Sequence, residues 1–391
     1  MRILAISLIL PWPQDEGARM RAGQSVRALT EVADVDLYSV HATAQAPDPP
    51  PDLPLRRVRV RPRPVAGRVA RRSWMRPGGP PQMVAGWREA LRVDLHAWAE
   101  PPYDLVWVIR AAPLAAVGVP DFAPLVVDLD DLEDQKALER ASISSGMASR
   151  AFRIDAAHWA RWQRTLARAA IAVGVCSEAD RARVGYPNAV VIPNGYEPAE
   201  TVVRPDPRAP GSPRLLLQGK LIRPPLLDAA QILAGQVLPI IRQAVPDAGV
   251  DLVGENDRRV RSLSELPGVR VHGRVESMTP FLASADLVVV PMRWGSGTRI
   301  KILEAFAHRI PVVSSPIGAE GLDVESGRHL LIAEDPKDLA AACVRVLQDP
   351  ALARRLTDEA YGLWESRYRW EPIRTQIGDL ARSLAATGTA P

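Results

Sequence analysis

The stretch that decides the fold class spans residues 291–315 and reads PMRWGSGTRIKILEAFAHRIPVVSS. A buried strand over Leu287–Val290 is predicted to lead into it, followed by a Gly-Ser-Gly turn, a helix over Thr298–His308 and a strand over Pro311–Ser314. The glycines of the turn let the backbone approach a ligand closely, because they carry no Cβ. The first N–H groups of the helix and its dipole then favour an anion at this point.

Three side chains complete the site that this stretch predicts. Arg299 and Lys301 add positive charge, and Glu304 lies about two turns along the helix from the glycine turn. A carboxylate there is suited to accept hydrogen bonds from both hydroxyls of a ribose. The stretch therefore predicts a pyrophosphate and ribose site. The alternative is an ordinary strand, turn and helix with a surface glutamate.

The same alternation of short apolar runs and helical patterns extends outward over the chain and predicts an α/β protein with parallel sheets. Further strands are predicted over Ile3–Leu8, Asp36–Val40, Val58–Val60, Leu105–Ile109, Leu125–Leu129, Ala172–Cys176, Ala189–Ile192, Arg214–Gln218, Val250–Val253, Val269–His272 and His329–Ile332. Further helices are predicted over Arg21–Glu31, Val84–Trp98, Ala151–Ala169, Leu227–Gln243, Thr279–Ser284, Pro336–Leu347, Ala351–Tyr368 and Glu371–Leu384.

Proline divides this pattern into two halves. The stretch Glu197–Pro213 holds five prolines and predicts an interdomain linker, which we confine to residues 201–213. We therefore expect two Rossmann-like domains, over residues 1–200 and 214–368, whose parallel sheets face a cleft. Ligands of such sheets bind at the carboxyl ends of the strands, beside helix N-termini.

Composition bounds the class of protein. A chain of 391 residues suits two α/β domains, and a net charge of +4 permits anionic substrates without indicating nucleic acid. Two cysteines, Cys176 and Cys343, form neither a disulfide framework nor a zinc pattern and suit a reducing cytoplasm, and the six histidines show no metal-ligand spacing. The N-terminal apolar run reads as a first strand rather than a signal peptide, and no run approaches the ~20 residues of a transmembrane helix.

The deciding stretch resembles the donor site of family 4 retaining glycosyltransferases, which have the GT-B fold. These enzymes carry two Glu separated by seven residues, the second followed by Ala-X-Ala-X-Gly-X-Pro-Val. Glu304 and Pro311 match the second half, Arg309 stands where Gly is usual, and Ser296 stands at the first Glu. A subgroup has a Gly-Ser-Gly-Thr-Arg-X-Lys loop, which this chain matches. The resemblance implies a donor-binding loop over Ser296, Gly297, Thr298, Arg299 and Lys301, with Glu304 on the ribose.

Other stretches resemble the family in order and spacing. Gly219 and Lys220 match a strand end where a basic residue reaches the donor diphosphate, and Pro225 stands where a second Lys is usual, so that Arg223 or Lys301 would compensate. Gly254 and the pair Arg274-Val275 match strand ends around the nucleobase, with backbone contacts expected. A solvated turn lysine is the alternative for Lys220.

The N-terminal half supplies the remaining candidates. The loop with Gly17, Ala18 and Arg19 resembles the family's loop that meets the donor phosphate or the acceptor. Arg19 and Arg21 open a helix against its dipole, which indicates either an anionic ligand or a solvated basic turn. Asp130 and Asp131 follow a strand end; they are predicted either to hold sugar hydroxyls or orient the acceptor, or to cap a helix or turn.

The resemblance implies transfer of a sugar from a nucleoside diphosphate to an acceptor hydroxyl with retention of configuration. Catalysis would rest on charge stabilisation by Lys220 and its neighbours, with Glu304, Asp130 and Asp131 as the other catalytic candidates and no metal cofactor. It also implies that the last helix, within residues 369–391, crosses back to the first domain. The alternatives are a nucleotide-sugar epimerase of the same fold and a catalytically silent sugar-binding partner subunit.

Two further features bear on partners. The basic stretch Arg56–Arg72 holds eight arginines; it is either a solvated loop or a contact for an anionic acceptor or the inner face of a membrane. Trp159 and Trp162, at helical spacing, predict core or interface positions rather than a sugar platform. The expected partners are a nucleotide sugar and an unidentified acceptor, and no nucleic acid.

Overall fold

The computed structural model describes residues 1–13, 17–41, 47–62, 88–198, 212–295 and 299–387. It divides into two compact units. The first comprises Met1–Asn194 together with Trp370–Pro391, and the second comprises Gly195–Arg369. Most of the predicted linker, over residues 199–211, lies outside the described residues.

The first unit is built on a parallel sheet. Its strands are β1 (Arg2–Ser7), β2 (Asp34–His41), β3 (Arg57–Pro62), β4 (Leu105–Ile109), β5 (Leu125–Asp128), β6 (Ala172–Val175) and β7 (Ala189–Val191). They lie in the order β3-β2-β1-β4-β5-β6-β7, and every neighbouring pair is parallel. Strands β1, β4, β5 and β6 are almost wholly buried because apolar residues occupy both of their faces, as a sheet covered by helices on both sides requires.

Helices cover both faces of this sheet. They span Gly17–Thr30, Arg88–Trp98, Ala112–Val117, Glu133–Ser142, Gly146–Ala169, Glu178–Val184 and Trp370–Thr387. The last of these packs against the first, with Arg374 donating a 2.9 Å hydrogen bond to Gln24, so the C-terminal helix returns to the first unit as expected. Trp159 is buried in the core and the indole of Trp162 donates to the carbonyl of Ala111, which confirms their predicted packing position.

The second unit repeats the architecture. Its strands are β8 (Arg214–Gln218), β9 (Gly249–Val253), β10 (Val269–His272), β11 (Leu287–Val290), β12 (Val312–Ser314) and β13 (Leu331–Ile332), in the parallel order β10-β9-β8-β11-β12-β13. Its helices span Pro224–Ala244, Arg258–Arg261, Thr279–Ser284, Ile300–Ala307, Pro316–Ala319, Pro336–Gln348 and Pro350–Arg367, and a short 3₁₀ turn covers Ser262–Glu265. The α/β fold with two Rossmann-like units is thus as predicted.

The helix Pro224–Ala244 contains a π-helical segment over Leu233–Val237. At 21 residues it is, among the described residues, the one helix that by length and composition could cross a membrane, which was not expected from the sequence. Apolar residues of this helix, among them Leu227, Leu233 and Ile241, belong to the core of the second unit. Core packing therefore accounts for its composition.

Three helices of the first unit were not predicted. Ala112–Val117 is buried along its whole length, so it shows no polar face and no helical period. Glu133–Ser142 buries only Ala137 and Ala141, which is too little apolar pattern to reveal a helix. Glu178–Val184 buries none of its residues, although Ser177 caps it by accepting from the N–H of Asp180.

The basic stretch that begins at Arg56 is partly a strand. Arg57, Arg59 and Arg61 alternate along β3 and reach acids on a neighbouring helix and loop, with ion pairs of 2.8 Å to Glu100, 2.7 Å to Asp94 and 3.3 Å to Asp94. Residues 63–72 lie outside the described residues. The described part is therefore neither a loop nor an unpaired basic surface.

A buried ion pair joins three segments of the first unit. Nε and Nη2 of Arg21 donate to the two carboxylate oxygens of Asp128, at 3.0 and 2.9 Å, and Nη1 donates to the carbonyls of Ile192 and Pro193. Both side chains are fully buried. The suggestion that Arg21 binds an anionic ligand is thus wrong, because the carboxylate of Asp128 already neutralises it.

Removal of one member of this pair should destabilise the first unit strongly. Asp128→Asn leaves the buried guanidinium without its counter-charge, and we expect a loss of about 3–5 kcal/mol in the free energy of unfolding. Urea unfolding followed by circular dichroism measures it. The matched control is Asp52→Asn, which breaks the exposed pair with Arg27 and should leave the midpoint unchanged. Equal effects of the two substitutions would contradict this account.

Candidate functional site

Two glycines shape the carboxyl edge of the second sheet. Gly219 follows β8 with φ 133° and Gly254 follows β9 with φ 127°, conformations that favour glycine. A Cβ on Gly254 would lie 2.1 Å from the carbonyl oxygen of Gly219. The two strand ends therefore come so close together that a side chain on Gly254 is excluded, which leaves an open backbone surface where the sequence predicts a ligand.

Glu304 lies on the helix Ile300–Ala307, and its carboxylate is held at this edge. Oε2 accepts a 3.0 Å hydrogen bond from the side-chain amide of Gln218, the last residue of β8. Oε1 accepts a 3.2 Å hydrogen bond from the hydroxyl of Tyr196. Desolvation raises the pKa of Glu304, although these two hydrogen bonds and the charge of Lys301 act in the opposite direction. The side chain is thus fixed in one orientation and still partly exposed.

The two donors to Glu304 were missed by sequence reasoning. Tyr196 is itself held in place, because its carbonyl accepts from the indole of Trp364 and its N–H donates to the carbonyl of Tyr368. His308 Nε2 lies 3.3 Å from the same hydroxyl. For Gln218 a signal existed: it is a polar residue that ends an otherwise apolar strand, and such positions line ligand sites in parallel sheets. For Tyr196 the sequence holds no comparable signal.

Lys301 is one helical turn before Glu304. Within the described residues its ammonium group makes no hydrogen bond and no ion pair. Desolvation, with the nearby charge of Arg299, lowers the pKa of Lys301 to about 8, against a smaller opposing influence of Glu304. A cation in these surroundings is stabilised by an incoming anion, since an anion supplies the missing counter-charge.

Arg299 stands at the start of the same helix but is buried. Its guanidinium donates to the carbonyl oxygen of Ile317, at 3.2 and 3.1 Å, and to that of Gly295. It therefore fixes the shape of the turn, and its contact with a diphosphate stays a prediction. Ser296, Gly297 and Thr298 lie outside the described residues.

The remaining predicted residues of the second unit surround this edge. Lys220 follows Gly219 directly and is partly exposed, and Arg223, exposed, precedes the helix that begins at Pro224. Arg274, exposed, and Val275, which packs partly against the core, follow β10. The carboxyl ends of β8, β9 and β10 thus carry the residues that the sequence analysis assigned to the donor.

Asp130 and Asp131 lie at the carboxyl edge of the first sheet and share one arginine. Nε of Arg110 donates to Asp130 at 3.0 Å, and its Nη2 donates to Asp131, which also pairs with Lys136. Asn194 donates to Asp130 at 3.1 Å. Arg110, with φ 72°, and Asp130, with φ 56°, both adopt the left-handed conformation, which is a form of strain that concentrates at functional sites. Arg110 and Lys136 were not found from the sequence.

The other candidates of the first unit begin its first helix. Gly17, Ala18 and Arg19 form the first turn of Gly17–Thr30 and are partly exposed. Residues 14–16, which precede them, lie outside the described residues. In the described part of the chain, no group of three or more His, Cys, Asp or Glu side chains could hold a metal ion.

Part of the second unit matches a known family model. Residues 212–349 match the family model "Glycosyl transferases group 1". A phosphatidyl-myo-inositol mannosyltransferase of Mycobacterium leprae is 29% identical over 218 residues, which are 52% of this chain and 55% of that protein. The chain thus spans about half the length of this curated relative.

Solved structures match over nearly the whole chain. Sucrose-phosphate synthase from Thermosynechococcus elongatus has a TM-score of 0.73 at 20% identity, covering 99% of this chain and all of that one. HepE of Anabaena, in complex with UDP and glucose, gives 0.67 at 17% identity, covering 98% and 100%. The glycosyltransferase WaaG gives 0.65 at 14% identity, covering 98% of both chains. The chain has the GT-B fold. The GT-B fold inferred from the sequence is thereby confirmed, and the stretch that matches the group 1 glycosyltransferase model contains Gln218, Lys301 and Glu304.

A side chain at position 254 should disturb this domain. In Gly254→Ala the new Cβ meets the Gly219 carbonyl and the backbone is strained, so we expect a loss of about 2–4 kcal/mol in the free energy of unfolding. The matched control is Gly235→Ala, in the helix Pro224–Ala244, where an added Cβ meets nothing within 4 Å. That substitution should leave stability unchanged or raise it by up to about 1 kcal/mol. Thermal unfolding of both variants decides the point, and a stable Gly254→Ala would contradict the close approach.

Proposed function

We propose that the protein is a glycosyltransferase that moves a sugar from a nucleoside diphosphate sugar to an acceptor hydroxyl, with retention of configuration. The observation that carries this proposal is the carboxylate of Glu304, oriented by Gln218 and Tyr196 within the matched domain. Lys301, without an ion-pair partner among the described residues, lies one turn away. A fixed carboxylate beside an unsatisfied cation suits a ligand that joins vicinal hydroxyls to a diphosphate.

The proposed chemistry follows from these charges. Glu304 accepts hydrogen bonds from the ribose hydroxyls, and Lys301 and Lys220 neutralise the diphosphate as the glycosidic bond breaks. Arg223 and Arg299, with the N–H groups at the start of the helix Ile300–Ala307, add positive potential. Because basic groups take up the charge of the leaving diphosphate, we expect transfer without a metal cofactor, and undiminished rates in EDTA test this.

The first unit is proposed to bind the acceptor. Its candidates are Asp130 and Asp131 for the acceptor or the sugar hydroxyls. Gly17, Ala18 and Arg19, in the first turn of the helix Gly17–Thr30, are candidates for the donor phosphate or the acceptor. Arg110 holds both carboxylates, so it is a positioning residue for whichever hydroxyl they bind.

The relatives guide the choice of substrates. HepE was solved with UDP-glucose, and the curated relative is named for transfer of mannose to phosphatidyl-myo-inositol. We propose a nucleoside diphosphate hexose, such as a UDP-hexose, as donor and a lipid-linked glycan, polysaccharide precursor or small natural product as acceptor, at the cytoplasmic face of the membrane.

Neutralisation of Glu304 should remove donor binding. We expect Glu304→Gln to weaken binding of the donor at least 100-fold and to abolish transfer, because an amide accepts less strongly and offers only one oxygen. Calorimetry with UDP-glucose and GDP-mannose, after a thermal-shift screen of nucleotide sugars, measures the affinity. The matched control is Glu365→Gln, at an exposed position of the helix Pro350–Arg367, which should bind as the wild type does.

The same assay separates the alternatives. Release of an epimerised nucleotide sugar in the absence of acceptor, followed by NMR, would identify an epimerase. Donor binding without turnover over an acceptor panel would identify a silent binding subunit. Unchanged donor affinity in Glu304→Gln would contradict the site itself.

Donor affinity should depend on pH on both sides. The pKa of Glu304 is raised, so its carboxylate becomes protonated at a higher pH than the ordinary value of about 4.3, and affinity falls as the pH drops through that raised pKa. The pKa of Lys301 is about 8, so its charge, and with it affinity for the diphosphate, declines above that pH. Calorimetric titration of the donor between pH 4 and pH 10 measures both limbs.

Two variants test which residue causes the fall in donor affinity at each end of the pH range, that is, the acid limb and the alkaline limb of the pH profile. Lys301→Arg keeps its charge at high pH and should shift the alkaline limb upward. Glu304→Gln should lose the acid limb. An alkaline limb that stays in place in Lys301→Arg would exclude Lys301 as its origin.

A further inference from the structure

One face of the helix Gly146–Ala169 consists largely of arginines. Its exposed members, spaced at three, four or eight residues along the helix, are Arg150, Arg153, Arg161, Arg164 and Arg168. None of the five has an ion-pair partner among the described residues. The helix has one acidic residue, Asp155, and it is buried on another side. We call these five side chains the basic face. In contrast, the arginines of β3 are all ion-paired.

Large apolar side chains are exposed at the N-terminal end of the same helix. Met147 is 90% exposed and Ile154 37%, and they lie seven residues apart, beside Arg150 on the basic face. Leu138 and Ile143, each 46% exposed, belong to the preceding helix and the connection between the two. We call these four residues the apolar tip. Exposed apolar groups beside unpaired cations are typical of helices that lie in a membrane interface.

The two helices form a hairpin that begins at the carboxyl edge of the first sheet. Gln163 accepts from the N–H of Glu133, just past the end of β5, and Ser149 donates to the carbonyl of Ala141 near the tip. Residues 146–155 form the N-terminal part of the longer helix, about 15 Å long at 1.5 Å per residue, and lie more than one helical turn before Gln163. The apolar tip therefore lies on the same side of the first unit as Asp130 and Asp131.

We propose that this hairpin docks on an anionic phospholipid surface, with the apolar tip entering the interface and the basic face contacting lipid phosphates. Charge complementarity favours an anionic surface. The apolar tip favours lipid over a soluble polyanion, since a polyanion offers no apolar phase for Met147 and Ile154. Docking would present the carboxyl edge of the first sheet to acceptors held in the membrane.

Vesicle binding tests the proposal on the full chain. Cosedimentation with vesicles of phosphatidylcholine containing one third phosphatidylglycerol should retain the protein, and pure phosphatidylcholine should retain far less. Each basic residue near such a surface contributes about a factor of five, so the triple variant R150Q/R153Q/R161Q should bind on the order of 100-fold more weakly. The matched control is R258Q/R261Q/R270Q, three exposed arginines of the second unit, which should bind as the wild type does. Equal losses in the two triple variants would overturn the assignment to this helix.

A second variant tests the apolar tip separately. M147S/I154S keeps every charge and should bind the anionic vesicles at least tenfold more weakly, while its binding to the soluble polyanion heparin stays unchanged. Vesicle binding equal to that of the wild type would show a purely electrostatic surface for soluble polyanions and overturn the proposal. We expect nucleotide-sugar binding to be unchanged in each variant, which verifies that the chain is folded. A loss of nucleotide-sugar binding would follow from misfolding, and circular dichroism reports misfolding independently.

Discussion

The constraint on which the second unit depends is the partial burial of the Glu304 carboxylate. Removing a carboxylate from water is costly, and the cost is offset by hydrogen bonds from Gln218 and Tyr196 rather than by an arginine. Each donor comes from a separate segment, so the carboxylate joins the end of β8, the helix Ile300–Ala307 and the chain that enters the unit. The close approach of Gly219 and Gly254 leaves no room for a side chain on Gly254 between the neighbouring strand ends.

The first unit solves a similar problem differently. Asp128 also ends a parallel strand, but it is fully buried and bonded at both oxygens by Arg21. Such a pair has no capacity left for a ligand, and it serves to join segments. Among the described residues Glu304 pairs with no arginine, and Lys301, one helical turn away, has no ion-pair partner there. Full burial with both oxygens bonded to one arginine, rather than the position at a strand end, distinguishes Asp128 as a structural carboxylate from Glu304.

Features set by local sequence pattern could be predicted, whereas contacts between residues far apart in the sequence could not. The strands depend on local pattern, and strands such as Leu105–Ile109 and Arg214–Gln218 have the predicted bounds. Tyr196 lies 108 residues from Glu304 and Gln218 lies 86 residues from it, so no local pattern joins them. Arg21 and Arg110 show the same limit: a single sequence reveals a charge, and only the fold reveals which acid neutralises it.

Arginine illustrates why pairing matters more than composition in this chain. Those of β3 alternate along a strand beside Glu100 and Asp94, so their charge is cancelled locally. Those of the helix Gly146–Ala169 recur at helical spacing without an acid on their face, so their potentials add. A summed positive potential next to exposed methionine and isoleucine is stabilised most by a surface that is both anionic and apolar. A phospholipid interface has both properties, and it lies where a lipid-linked acceptor would be held.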